Sequence, residues 1–279
     1  MGSVSGKHRS PVRGSSLEFA QYRKYEIGDD SRRVDWRVWG RTDRAYVKEF
    51  EADTNLRMLL VLDASGSMNF AMPGATVSKL DQSKQLAGAL SWVASRQGDA
   101  VGLADSSPNG IREIPPRRGA RHLRAILDRM ESLKANGESD LPQALHFVAE
   151  KLPRRGLVVI VSDLFSDIDA LANSIRHLRH RKHDIAIFHL LDNAEVDFDF
   201  DQPMKFIDLE NGTSMLSDPI IVGENYRQVV AKYMADLKHL VRATGIDYRR
   251  ITLQSDIAEE LAGFLNSRAS GRGSRARRR

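Results

Sequence analysis

A carboxylate and two hydroxyl groups stand at alternate positions directly after an apolar segment of the chain. Residues 57–62 read RMLLVL, and Asp63, Ser65 and Ser67 follow. Carboxylate and hydroxyl oxygens are hard ligands of the kind that Mg²⁺ prefers. A D-x-S-x-S spacing is expected by chance about 0.1 times in a chain of 279 residues, so the motif alone is weak. Ser65 and Ser67 could equally cap a following helix.

Two more polar groups stand where the same site would need them. Ser139 lies in the loop GESDL before a predicted helix, and Asp163 follows a second apolar run, LVVIV at residues 157–161. In an open parallel sheet, ligands bind beyond the carboxyl ends of the strands, so we expect the three loops to meet. Their three hydroxyls and two carboxylates predict a site for Mg²⁺ or Mn²⁺ with a position open to a ligand. The predicted metal residues are Asp63, Ser65, Ser67, Ser139 and Asp163.

Apolar periodicity predicts the elements that would position these loops. Short apolar runs predict strands at 57–62, 100–104, 157–161, 184–191 and 247–251, with an edge strand near 111–114 that stops at Pro115-Pro116. Helical spacing predicts helices at 78–96, 123–133, 141–152, 168–181, 225–243 and 256–265. This alternation predicts an α/β fold: a doubly wound, mostly parallel sheet with helices on both faces.

The rest of the chain divides by composition. Residues 1–16 are predicted to be a flexible leader, and residues 17–54 an N-terminal flank that packs on the main domain at 55–267. A strand is predicted near 44–50. Residues 268–279 (RASGRGSRARRR) are predicted to be a disordered, arginine-rich tail.

The segment Asp29–Arg41 has two interpretations. Its arginines and aspartates could form ion pairs that hold the flank to the sheet. Its tryptophans, Trp36 and Trp39, and its arginines are also the residue types that anchor protein interfaces. The sequence does not favour either interpretation.

Charge and cysteine content exclude several functions. The net charge is +5, but the tail alone holds six arginines and no acidic residue, so the remaining residues sum to about −1. We therefore expect no specific nucleic-acid binding, only weak contact of the tail with polyanions. The absence of cysteine excludes disulfides, thiolate zinc sites and thiol catalysis. Apolar runs are too short to span a bilayer and no secretory signal is visible, so a cytoplasmic location is expected.

The predicted site resembles the metal-ion-dependent adhesion site (MIDAS) of von Willebrand factor A domains. That resemblance implies that the hydroxyls contact the ion, that the aspartates anchor it, often through water, and that a carboxylate of a partner completes the shell. The second motif of the family commonly offers threonine where this chain has Ser139. A hydroxyl is retained, so metal binding is still expected.

Further segments resemble the bacterial family called domain of unknown function 58. The resemblance runs from about residue 8 to 268 and is carried by EFAQYR at 18–23, GDD at 28–30, DWR at 35–37, YVKEF at 46–50, RRG at 154–156 and GIDY at 245–248. Members often accompany AAA+ ATPases of the MoxR type. The resemblance implies a non-enzymatic adaptor, with the metal as docking point for the ATPase or its client.

Other readings of the sequence are weaker. A metal-dependent hydrolase acting on a phosphate or peptide would need a base near the metal, and none of the three loops contains His or Lys. No phosphate-binding glycine motif follows the first strand. His177, His180 and His183 are interpreted as a solvated helix end rather than metal ligands. The alternation of Glu195, Asp197, Asp199 and Asp201 with apolar residues predicts an edge strand rather than a calcium loop.

Overall fold

The structure is a computed structural model. It describes residues 17–25, 34–52, 56–72, 77–153, 155–198, 200 and 202–269. The chain divides into two compact units, residues 1–55 and 56–279. The predicted leader, residues 1–16, and the tail beyond residue 269 lie outside the described residues, as do Asp29 and Asp30.

The smaller unit is an antiparallel strand pair and a short helix. Strand β1 (Leu17–Lys24) pairs with β2 (Tyr46–Ala52), which confirms the strand predicted near 44–50; β1 was not predicted. Helix α1 (Trp36–Thr42) begins where the Asp35 carboxylate accepts hydrogen bonds from the backbone N–H groups of Arg37 and Val38. The rings of Trp36 and Trp39 lie 5.2 Å apart, and both side chains are exposed.

The larger unit alternates strands and helices, as predicted. In chain order its elements are β3 (Arg57–Asp63), α2 (Lys79–Arg96), β4 (Ala100–Ser107), β5 (Gly110–Arg117), α3 (Ala120–Ser132), α4 (Leu141–Lys151), β6 (Leu157–Ser162), α5 (Ile168–His180), β7 (Asp184–Leu191), α6 (Asn193–Asp197), β8 (Met204–Ile207), β9 (Ser214–Ser217), α7 (Pro219–Thr244), β10 (Asp247–Thr252) and α8 (Ile257–Ala269). Six strands form one sheet in the order β10-β7-β6-β3-β4-β5. All neighbours in it are parallel except β4 and β5.

Central strand β3 is buried on both sides because its side chains alternate between two cores. Met58, Leu60 and Leu62 pack with residues of α2, α3 and α8. Leu59 and Val61 pack with residues of α4, α5 and α7 on the other face. The predicted fold class is therefore confirmed: a doubly wound, mostly parallel α/β sheet with helices on both faces.

Two details of the sheet region differ from the prediction. Strand β5 does not stop at Pro115 but runs through Pro115 and Pro116 to Arg117. It lies at the edge of the sheet, where one side of the strand needs no partner and a missing N–H is tolerated. The antiparallel hairpin β8–β9 was not predicted.

Within the described residues, no helix is long and apolar enough to cross a membrane.

Candidate metal site

The carboxylate of Asp63 is the centre of the predicted site. Its Oδ1 accepts hydrogen bonds from the backbone N–H of Ser65 and from Oγ of Ser139, both at 2.9 Å. Its Oδ2 accepts one from Oγ of Ser162 at 2.7 Å. The hydroxyls of Ser65 and Ser67 lie 3.0 Å apart. The structure therefore brings together four of the five predicted residues, Asp63, Ser65, Ser67 and Ser139.

Backbone contacts hold the two serine loops against each other. The N–H of Gly66 donates to the carbonyl oxygen of Gly137 at 2.7 Å, and the N–H of Asn136 donates to Ala64 at 3.2 Å. A 3₁₀ turn, Gly66–Asn69, then carries Ser67. The side chain of Ser65 makes no capping hydrogen bond to that turn. The alternative that Ser65 caps a helix is thus not what the structure shows.

Asp163, the fifth predicted residue, follows the neighbouring strand at the same edge. Leu62 pairs with Val161 in the parallel register, so Asp63 and Asp163 both leave the sheet at its carboxyl end. Asp163 is almost fully buried, and its Oδ1 accepts from the backbone N–H of Phe165 at 3.2 Å. Burial raises the pKa of Asp63 above its usual range, and the negative charge of Asp163 raises it further.

Lys79 contacts this site and was missed in the sequence. Its buried Nζ donates to Oδ2 of Asp163 at 2.7 Å and to Oε1 of Glu195 at 2.6 Å. The ammonium also lies 5.1 Å from the ring centre of Phe165 and 5.6 Å from that of Phe70. Burial alone would lower the pKa of Lys79, but Asp163 and Glu195 raise it above its ordinary value. Lys79 is therefore held as an ammonium between the two carboxylates.

One signal in the sequence could have indicated Lys79. It is the first residue of α2 and lies between Ser78 and Asp81, which form the capping box of that helix. The first turn of a helix disfavours cations because of the helix dipole. A lysine in this position therefore indicates a specific acidic partner, although the sequence does not say which one.

The prediction of an edge strand at Glu195 is wrong. The segment forms helix α6, whose start is fixed by a capping box: Asp192 accepts from the N–H of Ala194, and Glu195 Oε2 accepts from the N–H of Asp192. The other oxygen of Glu195 binds Lys79. Alternation with apolar residues was misleading here because Glu195 closes a local capping box and also pairs with the distant Lys79. Asp197 ends α6, whereas Asp199 and Asp201 lie outside the described residues.

A buried histidine supports the Asp163 loop. His189 Nε2 donates to the carbonyl oxygen of Asp163 at 2.8 Å, so its Nδ1 accepts from the hydroxyl of Tyr248 at 2.7 Å. Burial lowers the pKa of His189 to about 4, which keeps the ring neutral.

The prediction of a solvated helix end is correct for the exposed His180. It is wrong for His183, which is buried and accepts a hydrogen bond from the N–H of Gly156.

The donor set fits a divalent cation. The buried Asp163 and the mostly buried Glu195 share the ammonium of Lys79, whereas the buried Asp63 does not contact it. Three carboxylates and one ammonium leave two formal negative charges. Among the described residues, no basic side chain contacts the carboxylate of Asp63. In the part of the chain that the structure describes, no group of three or more His, Asp or Glu side chains is arranged to hold a metal ion. A Mg²⁺ ion here would therefore depend on the hydroxyls of Ser65, Ser67 and Ser139.

A cleft of about 460 Å³ opens beside the site. Ser67 and Glu195 line it together with the aromatic residues Phe70, Phe165 and Tyr226. Residues 207–210, at the end of β8 and in the turn that follows, form the opposite wall. The cleft thus places aromatic and acidic side chains beside Ser67, one of the candidate metal residues.

The mostly parallel sheet with helices on both faces is an α/β fold, with hydroxyl and carboxylate side chains in the loops at its carboxyl edge. Residues 21–239 match the family described as Protein of unknown function DUF58, and the chain belongs to this family. Uncharacterized proteins of Mycobacterium tuberculosis (strain H37Rv) and Mycobacterium bovis are 27% identical to it over 277 residues, covering 97% of this chain and 85% of each relative.

Solved structures with related folds were also found. BatB from Bacteroides thetaiotaomicron is 14% identical, with a TM-score of 0.49 over 77% of this chain and 98% of its own. The SpRpn10 VWA domain is 11% identical, with a TM-score of 0.47 over 76% of this chain and 95% of its own.

Proposed function

We propose that this protein is an adaptor that binds a protein partner through a divalent cation, Mg²⁺ or Mn²⁺, held by Asp63, Ser65, Ser67, Ser139 and Asp163. The observation that carries the proposal is the environment of Asp63. Its buried carboxylate faces Asp163 and three hydrogen-bond donors, with the hydroxyls of Ser65 and Ser67 beside it. A partner's carboxylate would complete the shell of the ion.

The partner we propose is an AAA+ ATPase of the MoxR type or its client. Support comes from membership of the DUF58 family, which led to this expectation from the sequence. The metal is the docking point in this proposal, and the ATPase supplies nucleotide hydrolysis.

Hydrolysis at the metal site is the alternative, and the neighbouring side chains do not favour it. Lys79 is held as an ammonium by two carboxylates, which raise its pKa and make it a poor general base. Both ring nitrogens of His189 are engaged in hydrogen bonds, and the residue is fully buried. Neither residue is placed to activate a water molecule, so we propose a binding function without catalysis.

Calorimetric titration with Mg²⁺ and Mn²⁺ tests the metal site. The wild type is expected to bind one ion, and Asp63→Ala is expected to lose binding while remaining folded. Asp128→Asn, an exposed change on α3, is the control and should bind as the wild type does. Association with the MoxR-type ATPase is then measured with Mg²⁺ and with EDTA. Association that persists in EDTA and in Asp63→Ala would refute the metal-dependent mechanism.

A further inference from the structure

The turn between β8 and β9 lies directly on the loop that carries Ser65 and Ser67. A Cβ added to Gly66 would be 2.0 Å from the carbonyl oxygen of Leu209 and 3.0 Å from Cα of Glu210. A Cβ added to Gly137, in the loop of Ser139, would be 4.0 Å from the carbonyl oxygen of Glu210. The turn therefore packs directly on the loop of Ser65 and Ser67 and lies near the loop of Ser139.

Internal hydrogen bonds fix the shape of this turn. Oδ1 of Asp208 accepts from the backbone N–H of Glu210 at 2.8 Å, and its Oδ2 accepts from the side-chain amide of Asn211 at 2.8 Å. The N–H of Gly212 donates back to the carbonyl oxygen of Asp208 at 2.9 Å. Glu210 thus stands at a defined position in the turn.

An aromatic cluster fixes the base of the hairpin. In β8, the ring of Phe206 stacks on Phe198 at 5.5 Å and meets Phe200 edge-on at 5.9 Å. Phe198 in turn stacks on Tyr226 of α7 at 4.3 Å. The hairpin is therefore anchored at one end while its turn reaches the metal loops.

The side chain of Glu210 lies in an acidic environment. It lines the same cleft as Ser67 and is half-buried. Burial raises its pKa, and the charges of Asp163, Asp208, Asp63 and Glu138 raise it further. Within the described part of the chain, no basic side chain forms an ion pair with its carboxylate. A cation between Glu210 and Asp63 would relieve this repulsion.

We propose that Glu210 is an internal ligand of the divalent ion, supplying from the same chain the carboxylate that completes the metal shell. The proposal rests on the proposed function, since it requires an ion at Asp63. It also specifies how a partner binds. A partner's carboxylate would have to compete with Glu210 for this position on the ion.

Titration of Glu210→Gln with Mg²⁺ and Mn²⁺ tests this assignment. Loss of a ligand is expected to weaken binding at least about tenfold, since loss of even an outer-shell partner costs about 10–100-fold. The matched control is Glu138→Gln, which removes an exposed carboxylate from the same cluster. Glu138 is not a proposed ligand, so Glu138→Gln removes only a nearby charge. It should weaken metal binding less than about fivefold. Equal effects of the two substitutions would overturn the assignment.

The relaxation of water protons by bound Mn²⁺ gives a second readout, the number of exchangeable water molecules on the ion. Glu210→Gln is expected to add one exchangeable water to the ion, whereas Glu138→Gln should add none. An unchanged water count in Glu210→Gln would also overturn the assignment.

A folding control accompanies both measurements. Without metal, each variant should unfold within about 2 °C of the wild type, which would show that the fold is intact. Wild-type protein that binds no ion would refute both proposals. A wild type that binds, with Glu210→Gln binding equally well, would refute the internal ligand alone.

Discussion

The ammonium of Lys79 lies 2.7 Å from the carboxylate of Asp163, one of the predicted metal residues. The same ammonium binds Glu195 at 2.6 Å, so it joins the start of α2 to the loop after β6 and to α6. The candidate metal site therefore contains a built-in cation. Asp163 has two roles in consequence: it balances Lys79, and it contributes to the negative charge that faces Asp63.

Replacing Lys79 by methionine should destabilise the protein strongly. Two buried carboxylates would lose their counter-ion, and breaking a buried pair in this way costs about 3–5 kcal/mol. Urea denaturation at pH 7 measures the loss in free energy of unfolding. The loss should be smaller at pH 5, because burial raises the pKa of Glu195 and its protonation removes one uncompensated charge.

The control for this variant is Lys238→Met, at an exposed position of α7. It should change the free energy of unfolding by less than about 0.5 kcal/mol. A loss for Lys79→Met as small as that of the control would contradict the importance of the Lys79–Asp163 pair.

His189 should make stability depend on pH between about 6.5 and 4. Its folded pKa is lowered to about 4 from an ordinary value of 6.5, mainly by burial. As pH falls through this window, the unfolded state binds a proton that the folded state does not, so stability is lost. The full effect is about 3 kcal/mol, from 1.36 kcal/mol per unit.

The measurement is the difference in unfolding free energy between the wild type and His189→Gln at several pH values. This difference should shrink by about 3 kcal/mol from pH 7 to pH 4, because only the wild type carries the titrating ring. His239→Gln, an exposed change on α7, should show no such trend. A constant difference for His189→Gln would mean that the ring is not held neutral by burial.

Ser139 offers a matched pair of substitutions at the metal site. Its hydroxyl donates to Oδ1 of Asp63 at 2.9 Å. Ser139→Ala should weaken Mg²⁺ binding about 10–100-fold, because both a candidate ligand and an orienting hydrogen bond are lost. Ser139→Thr keeps the hydroxyl and should bind within about threefold of the wild type. Calorimetry distinguishes the two, and equal weakening by both would show that the hydroxyl is not what matters.

The parts of the site that sequence reasoning found are those set by strand order. Asp63 and Asp163 follow runs of five apolar residues, 58–62 and 157–161, and adjacent parallel strands must end at one edge. The fold class followed from the same alternation of runs and helices. These signals are local in sequence, so a single chain reveals them.

Lys79, Glu195 and Glu210 could not be found in this way, because their roles depend on long-range contacts. Lys79 meets Glu195 across 116 positions of sequence. The hairpin that carries Glu210 has strands of only four residues, too short for a clear alternation. Asn211-Gly212, with Gly212 at a positive φ of 74°, was the available turn signal.

Two glycine substitutions with opposite expected effects on stability test how closely the β8–β9 turn packs on the loop of Ser65 and Ser67. Gly66→Ala places a methyl group 2.0 Å from the backbone oxygen of Leu209, so one of the two loops must shift. We expect a loss of about 1–3 kcal/mol in unfolding free energy and faster proteolysis at residues 208–213. Gly88→Ala, inside α2, meets only Cδ2 of Leu127 at 3.7 Å and should instead stabilise by about 0.5–1 kcal/mol. A Gly66→Ala protein as stable and protease-resistant as the wild type would mean that the β8–β9 turn does not pack on the loop of Ser65 and Ser67. Glu210 would then not be held close enough to Asp63 to share an ion with it.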